Sequence, residues 1–296
     1  MSKNTMITDN NWFTAKDGAC DIEFIRANER LVPNSKIHAP ISSAEILTKF
    51  RERAKNLGLE LVNEQGALLK QKEKKGELVG GNRFMYVAEV KDDSHPDYAL
   101  SVGFRNFGDT TLAFQGMCGN SIFVCKNGVC TSVIKPSRMR HTVSNLAREG
   151  FFDSKIDTIF SRFMEDKDDI VGQIEMMKGT ALTDNIVGQF VRRANGEWKR
   201  NREGNEVFVK NPLLGSANLG RILADLENPA YNSHDDNSVF RLMNACSKVT
   251  THDMKNPSQS AEASRFCNNL IMSIIKPDFR PLGDVVEVEI EEAELA

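Results

Sequence analysis

Two sets of residues in this chain could do chemistry or hold charge: five histidines, and a run of cations gathered around a tryptophan. The histidines are His38, His95, His141, His234 and His252, and two of them precede aspartate, as His234-Asp235 and His252-Asp253. A metal phosphohydrolase of the His-Asp kind needs such pairs on helices, with a further histidine and aspartate converging on the ion. His234-Asp235 lies instead in Asn232-Ser-His-Asp-Asp-Asn237, whose short polar side chains suit the N-cap of a helix entering at Val239 and Phe240. The six cysteines are Cys20, Cys118, Cys125, Cys130, Cys246 and Cys267, with no Cys-x-x-Cys pair. Zinc draws two ligands from one tight turn, so the spacings of seven and five residues across Cys118, Cys125 and Cys130 do not suit it. They read as buried, reduced thiols filling small gaps in a core. Neither a phosphate-cradling Gly-x-x-x-x-Gly-Lys-Ser/Thr, nor Gly-x-Gly-x-x-Gly, nor Gly-x-Ser-x-Gly occurs. The expectation is a protein that is not an enzyme and holds no metal or nucleotide cofactor.

The cations are Arg192, Arg193, Lys199, Arg200 and Arg202, with Trp198 among them. Cations around an exposed aromatic can grip a single nucleic-acid strand, its phosphates by charge and a base by stacking. The same residues anchor protein partners, since arginine and tryptophan are favoured at interface centres. The plain alternative is a solvated loop whose tryptophan packs back on the core. A formal net charge of -3 and a pI near 6.0 speak against a dedicated duplex-DNA binder, so nucleic acid is the less favoured ligand.

These residues must be positioned by a chain of 296 residues that is 40% apolar and 27% charged, an ordinary globular composition. Residues 1–40 read as an irregular arm with a strand at 20–25, closing at Pro33 and Pro40 on either side of His38. Residues 41–140 read as β-rich. They open on a helix that Ser42 caps and Glu45 completes as a capping box, with Ile46, Leu47, Phe50 and Ala54 on one face up to Gly58. Strands are expected at 59–62 or 67–69 and at 84–90, with a turn over 70–76 and a loop at Ser94-His95-Pro96-Asp97. The stretch 98–130 then reads as a β-meander, its strands joined at Asn106-Phe107-Gly108-Asp109, at Gly119-Asn120 and at Asn127-Gly128, because such residues reach the positive φ of tight turns.

After Pro136 the period changes from two to 3.6. Ile156, Ile159, Phe160, Phe163 and Met164 form a helix stripe that continues through Ile170, Ile174 and Met177. Further helices are expected at 181–193, 215–228, 237–250 and 260–275, with a polar loop over 194–205 and a short strand at 207–209. The fold class is therefore α+β: an antiparallel sheet with helices, followed by a mainly helical region over 141–280. The acidic segment 281–296 alternates Val286, Val288 and Ile290 with Glu287, Glu289 and Glu291. It suits either a terminal strand with one wet face or a tail that orders on a partner. No apolar run approaches the roughly 18 residues of a membrane span, and the polar start lacks a secretory apolar stretch, so an intracellular protein is expected.

At Arg105-Asn106, Asp109, Val124-Cys125-Lys126-Asn127-Gly128 and His141-Thr142 the chain resembles the phage and plasmid proteins grouped as domain of unknown function 932. Members of that family carry an Asn-Ser-His-Asp-like turn, a strand pair ending in Val-Cys-x-Asn-Gly, and then a histidine and a long helix. Here the turn is Asn106-Phe107-Gly108-Asp109, without the Ser-His, which removes the case for a histidine acting in that turn. The resemblance extends over residues 40–275 and rests on the hairpin motif formed by Arg105, Asn106, Asp109, Cys125, Asn127 and Gly128. It implies a viral or other mobile-element protein with no settled activity. Two functions follow as expectations. One is an oligomeric, non-catalytic phage protein that binds and disables a host DNA-targeting defence complex, a Gabija-type nuclease being the target in view. Its contacts would come from Arg192 to Arg202 around Trp198 and from Glu287, Glu289 and Glu291. The other is a recombination accessory that binds or anneals single-stranded DNA.

Overall fold

Residues that alternate between two faces build one antiparallel sheet. The computed structural model describes residues 11–91, 98–109, 111–122, 127–200, 204–229, 237–254 and 257–281. Its strands are β1 (Trp12–Thr14), β2 (Leu61–Leu69), the small exposed hairpin β3 (Lys72–Lys74) and β4 (Glu77–Val79), β5 (Arg83–Val90), β6 (Tyr98–Phe107), β7 (Phe114–Ile122) and β8 (Asn127–Met139). The six-stranded sheet runs β1-β2-β5-β6-β7-β8, every neighbouring pair antiparallel, so sheet order equals chain order and the expected meander is present. On β6, Tyr98, Leu100, Val102 and Phe104 enter the main core, while Ala99, Ser101, Arg105 and Phe107 are buried on the opposite face.

The helices are α1 (Ile22–Asn28), α2 (Ser43–Asn56), α3 (Val143–Leu146), α4 (Phe151–Gly179), α5 (Asp184–Asn195), α6 (Ser216–Glu227), α7 (Val239–Lys248) and α8 (Pro257–Ile275). A second hairpin, β9 (Gly196–Arg200) with β10 (Glu206–Lys210), separates α5 from α6, and α7 runs on into a π-helical turn, Val249–Asp253. Ile156, Ile159, Phe160, Phe163, Ile170, Ile174 and Met177 of α4 are all buried. Met164, expected on the same stripe, is 43% exposed, because at 100° per residue it stands well round the helix from Ile156 and Phe163. One hydrophobic cluster runs from Ala19 to Met272, so sheet and helices share a core.

Several local expectations are corrected. Residues 20–25 begin α1 rather than a strand, since the Asp21 carboxylate accepts the Phe24 N–H at 2.7 Å and caps a helix. The arm therefore holds β1 and α1. The Ser42 hydroxyl does cap α2, accepting from Glu45 N–H at 3.2 Å, but the reciprocal carboxylate is Glu29, which accepts from Ser42 Oγ at 2.5 Å and from Ser43 N–H at 2.7 Å. Gly119-Asn120 is no turn, for β7 runs straight through it and Asn120 is buried. Asn127-Gly128 lies in β8, paired with Ile122 and Ser121, so the connection is 123–126, outside the described residues together with Cys125. Part of the polar loop 194–205 is β9. Helix α7 starts at Val239, but its N-cap is Ser238, one residue past the expected Asn232–Asn237 stretch. His95, Arg202, His234, Asp235, Glu287, Glu289 and Glu291 lie outside the described residues. Among the described residues no helix is long and apolar enough to cross a membrane.

The period does change after Pro136, but β8 carries the proline first. Between the pairs Phe114↔Met139 and Gly116↔Ile134 the register shifts, making a bulge that places Pro136 in an edge strand where its missing N–H costs no ladder bond. Ser137 repairs the gap, its hydroxyl accepting from Gly116 N–H at 2.7 Å and donating to Ile134 C=O at 2.6 Å. Gly116 is required here, since a Cβ would stand 2.4 Å from Ile159 Cγ1 of α4. Gly116→Ala is expected to lower stability by about 1–3 kcal/mol through overpacking, read from the urea midpoint.

Candidate functional site

Five segments meet around one open cavity of about 820 Å³. Strand β6 contributes Arg105, buried on the sheet face opposite the main core; its guanidinium donates to Gln115 Oε1 of β7 at 2.8 Å and pairs with Glu262 of α8 at 3.3 Å. Its neighbour Asn106 points the other way, as strand alternation demands, and donates to Ile41 C=O and Ser43 Oγ, both at 3.0 Å, tying the sheet to the start of α2. Asp109 organises the following turn. Its carboxylate accepts from Arg83 Nε at 2.5 Å and from the Thr111 N–H at 3.1 Å, which sets Thr111 and Leu112 at the cavity wall. Within the hairpin motif, then, Asn106 and Asp109 are structural and Arg105 faces the site.

The β8 bulge aims Arg138 and Arg140 at the cavity, and α8 brings Glu262 and Arg265. Four guanidinium groups thus face one carboxylate. The remaining wall is the arm, through Ser35, Ile37 and His38. It is fastened to the end of β8 by Ala39 N–H to His141 C=O at 3.1 Å and Val143 N–H to Ile37 C=O at 3.0 Å. This brings His38 and His141 together, ring centroids 6.3 Å apart and nearly perpendicular. Both are buried. His38 Nδ1 accepts the Asn34 N–H at 2.8 Å, so in the neutral ring the proton sits on Nε2. That Nε2 and both ring nitrogens of His141 are buried without a hydrogen-bond partner among the described residues. Burial, and then His38, hold the His141 imidazole down at about 4 against a weaker opposing pull from Asp109, so it is neutral at neutral pH.

The cavity does not stop there. Glu262 and Arg265 also border an adjoining hollow of about 330 Å³, which adds Arg193 and Ser273. Arg193, Phe266 and Leu270 in turn border a third of about 340 Å³, lined by Lys199 and Lys210 of the β9–β10 hairpin. A groove therefore follows α8 from the histidine pair to the hairpin. Of the expected cations, Arg193 and Lys199 line it; Arg193 also donates to Ser273 Oγ at 3.0 Å, and Lys199 pairs with Glu197 at 2.5 Å. Arg192 and Arg200 are exposed and line none of the three hollows. Trp198 does not pack back on the core. It is 69% exposed, edge-on to Phe208 at 5.5 Å, on the hairpin face that alternates with Lys199 and Val209.

Sequence reading missed Arg138, Arg140, Arg265 and the pairing of His38 with His141. A signal existed for two of them, since cations two residues apart near a strand end share a face. Of the cysteines, Cys20, Cys246 and Cys267 are free thiols and Cys118 is buried. Burial pushes Cys20 up to about 12 and raises Cys246, which also bonds to Cys267, so neither is a ready nucleophile. Among the described residues no cluster of three or more His, Cys, Asp or Glu is placed to hold a metal ion. No family model matches the chain, and no curated protein or solved structure matches it either.

Proposed function

We propose that this chain is a non-catalytic, mobile-element protein that binds single-stranded nucleic acid in the groove along α8. The observation that carries the reading is the excess of cations: four arginines against Glu262 in the main cavity, continued by Arg193, Lys199 and Lys210 against Glu197. A net charge of -3 describes the chain as a whole and leaves room for a local basic track. Guanidinium groups match phosphate oxygens two at a time, and their charge persists at any working pH. A single strand is favoured over a duplex because Trp198, exposed on the hairpin face opposite Lys199 and Val209, is reached only by a flexible strand that leaves the far hollow and turns over the hairpin, where an unpaired base can stack on it. The test is fluorescence anisotropy with a labelled oligodeoxythymidine at physiological salt. Trp198→Ala is expected to weaken binding by about 5- to 150-fold, the equivalent of about 1–3 kcal/mol. Absence of binding by the wild type overturns the reading.

A second reading is supported by the same hairpin. Trp198 and Phe208 are exposed together on one face of the hairpin, with Val207 and Val209 exposed on the other, and the aromatic pair suits a protein partner. In that case the chain is an oligomeric phage inhibitor of a host DNA-targeting complex of the Gabija type. Inhibition of such a nuclease that survives replacement of the groove arginines, but not Trp198→Ala, would favour it.

A further inference from the structure

We infer that the end of the groove at His38 and His141 is a subsite for the terminal phosphate of a nucleic-acid strand, and that it takes up a proton as that phosphate binds. The inference rests on the groove reading above. Its first ground is position. The histidines border only the first of the three hollows, the one farthest along α8 from the hairpin, and there the arm is stitched to β8 through Ala39 and Val143. A strand lying along α8 from Lys199 and Lys210 of the hairpin has its end at this wall. Its second ground is polar chemistry. Three imidazole nitrogens are buried there without partners among the described residues, against a wall of arginines, and an unmet buried donor or acceptor costs stability until a ligand satisfies it. A phosphate monoester is the fitting group, because it carries up to two negative charges and three acceptor oxygens at one point.

The surroundings of His141 decide the sign of the proton coupling. His38 faces it from the arm and Asp109 from the β6–β7 turn. Arg105 on β6, Arg138 and Arg140 on β8, and Glu262 and Arg265 on α8 share the cavity. Without a ligand, burial and the neighbouring histidine keep His141 neutral. A dianion beside it favours the charged imidazolium, whose second N–H becomes a further donor. A proton is then bound together with the phosphate, so affinity for the phosphorylated end rises as pH falls.

The experiment compares oligodeoxythymidine strands bearing a 5′-phosphate, a 3′-phosphate or hydroxyls at both ends, by calorimetry. One phosphorylated strand is expected to bind about tenfold tighter than the hydroxyl-ended one, the worth of one charge-assisted hydrogen bond. That preference should grow from about pH 8 to about pH 6.5, above the second pKa of the phosphate itself at about 6. Heats measured in two buffers of different protonation enthalpy should show proton uptake by the wild type. His141→Gln, which keeps a donor but cannot titrate, should lose both the uptake and the growth of the preference. Equal binding of all three strands overturns the subsite and leaves the groove reading standing. Equal strengthening by either phosphate marks general charge attraction and also overturns it. If no strand binds, both readings fall.

Discussion

Replacing Phe50 by alanine is expected to remove about 3–5 kcal/mol of folding stability, a large share of the 5–15 kcal/mol or so that native chains hold. Phe50 comes from α2 and is fully buried. Its ring lies 5.7 Å from Tyr86 of β5, 5.2 Å from Phe104 of β6 and 4.6 Å from Phe160 of α4. One side chain therefore joins α2, the middle of the sheet and the long helix α4, and truncation leaves a cavity bordered by β5, β6 and α4. The measurement is urea unfolding followed by both circular dichroism and tryptophan fluorescence. Because sheet and helices share one core, the two probes should move together to a lower midpoint. A loss below about 1 kcal/mol, as for an ordinary surface change, or the sheet and helices melting apart, would refute this account of the core.

That junction was largely legible in the sequence, because it is built from periodic residues. The helical stripe of α4 and the face of α2 through Phe50 are set by spacing alone, and the alternation on β6 gives the sheet. The turns were not legible. Asn-Gly pairs reach positive φ cheaply, but a local preference worth a fraction of a kcal/mol yields to ladder bonds and cross-strand packing on both sides. Gly119-Asn120 and Asn127-Gly128 lie within paired strands for that reason. The candidate site was legible only in part. Its arm, turn, bulge and two strand ends are far apart in the chain, so no local motif announces it. Arg193 and Lys199 stood out as a charge run, whereas Arg138 and Arg265 are brought together only by α8 packing on β8. Pro136 looked like a boundary between strand and helix. It sits instead in the bulge that turns Arg138 toward the cavity.

The combined exchange Arg138→Ala with Arg265→Ala is expected to weaken single-strand binding by about 100-fold at about 50 mM salt, since each phosphate contact on a single strand contributes about tenfold there through counterion release. Salt dependence is the sharper observable. The four cavity arginines contribute about -2.8 to the log–log slope, so raising salt from about 50 to about 200 mM should weaken the wild type by about 50-fold through them alone. Removing two contacts takes about 1.4 off the slope, so the same change should weaken the variant about 7-fold less than the wild type. Arg138 is exposed and Arg265 half-buried, and neither belongs to the hydrophobic core, so stability should stay near the roughly ±0.5 kcal/mol expected of surface changes. Arg26→Ala serves as the control: that residue is exposed on α1, pairs with Glu23 and borders none of the three hollows. Its slope should match the wild type. Parallel salt lines for the wild type and the double variant would mean that no phosphate is held by these arginines, and a groove that releases no counterions there is not where a strand lies.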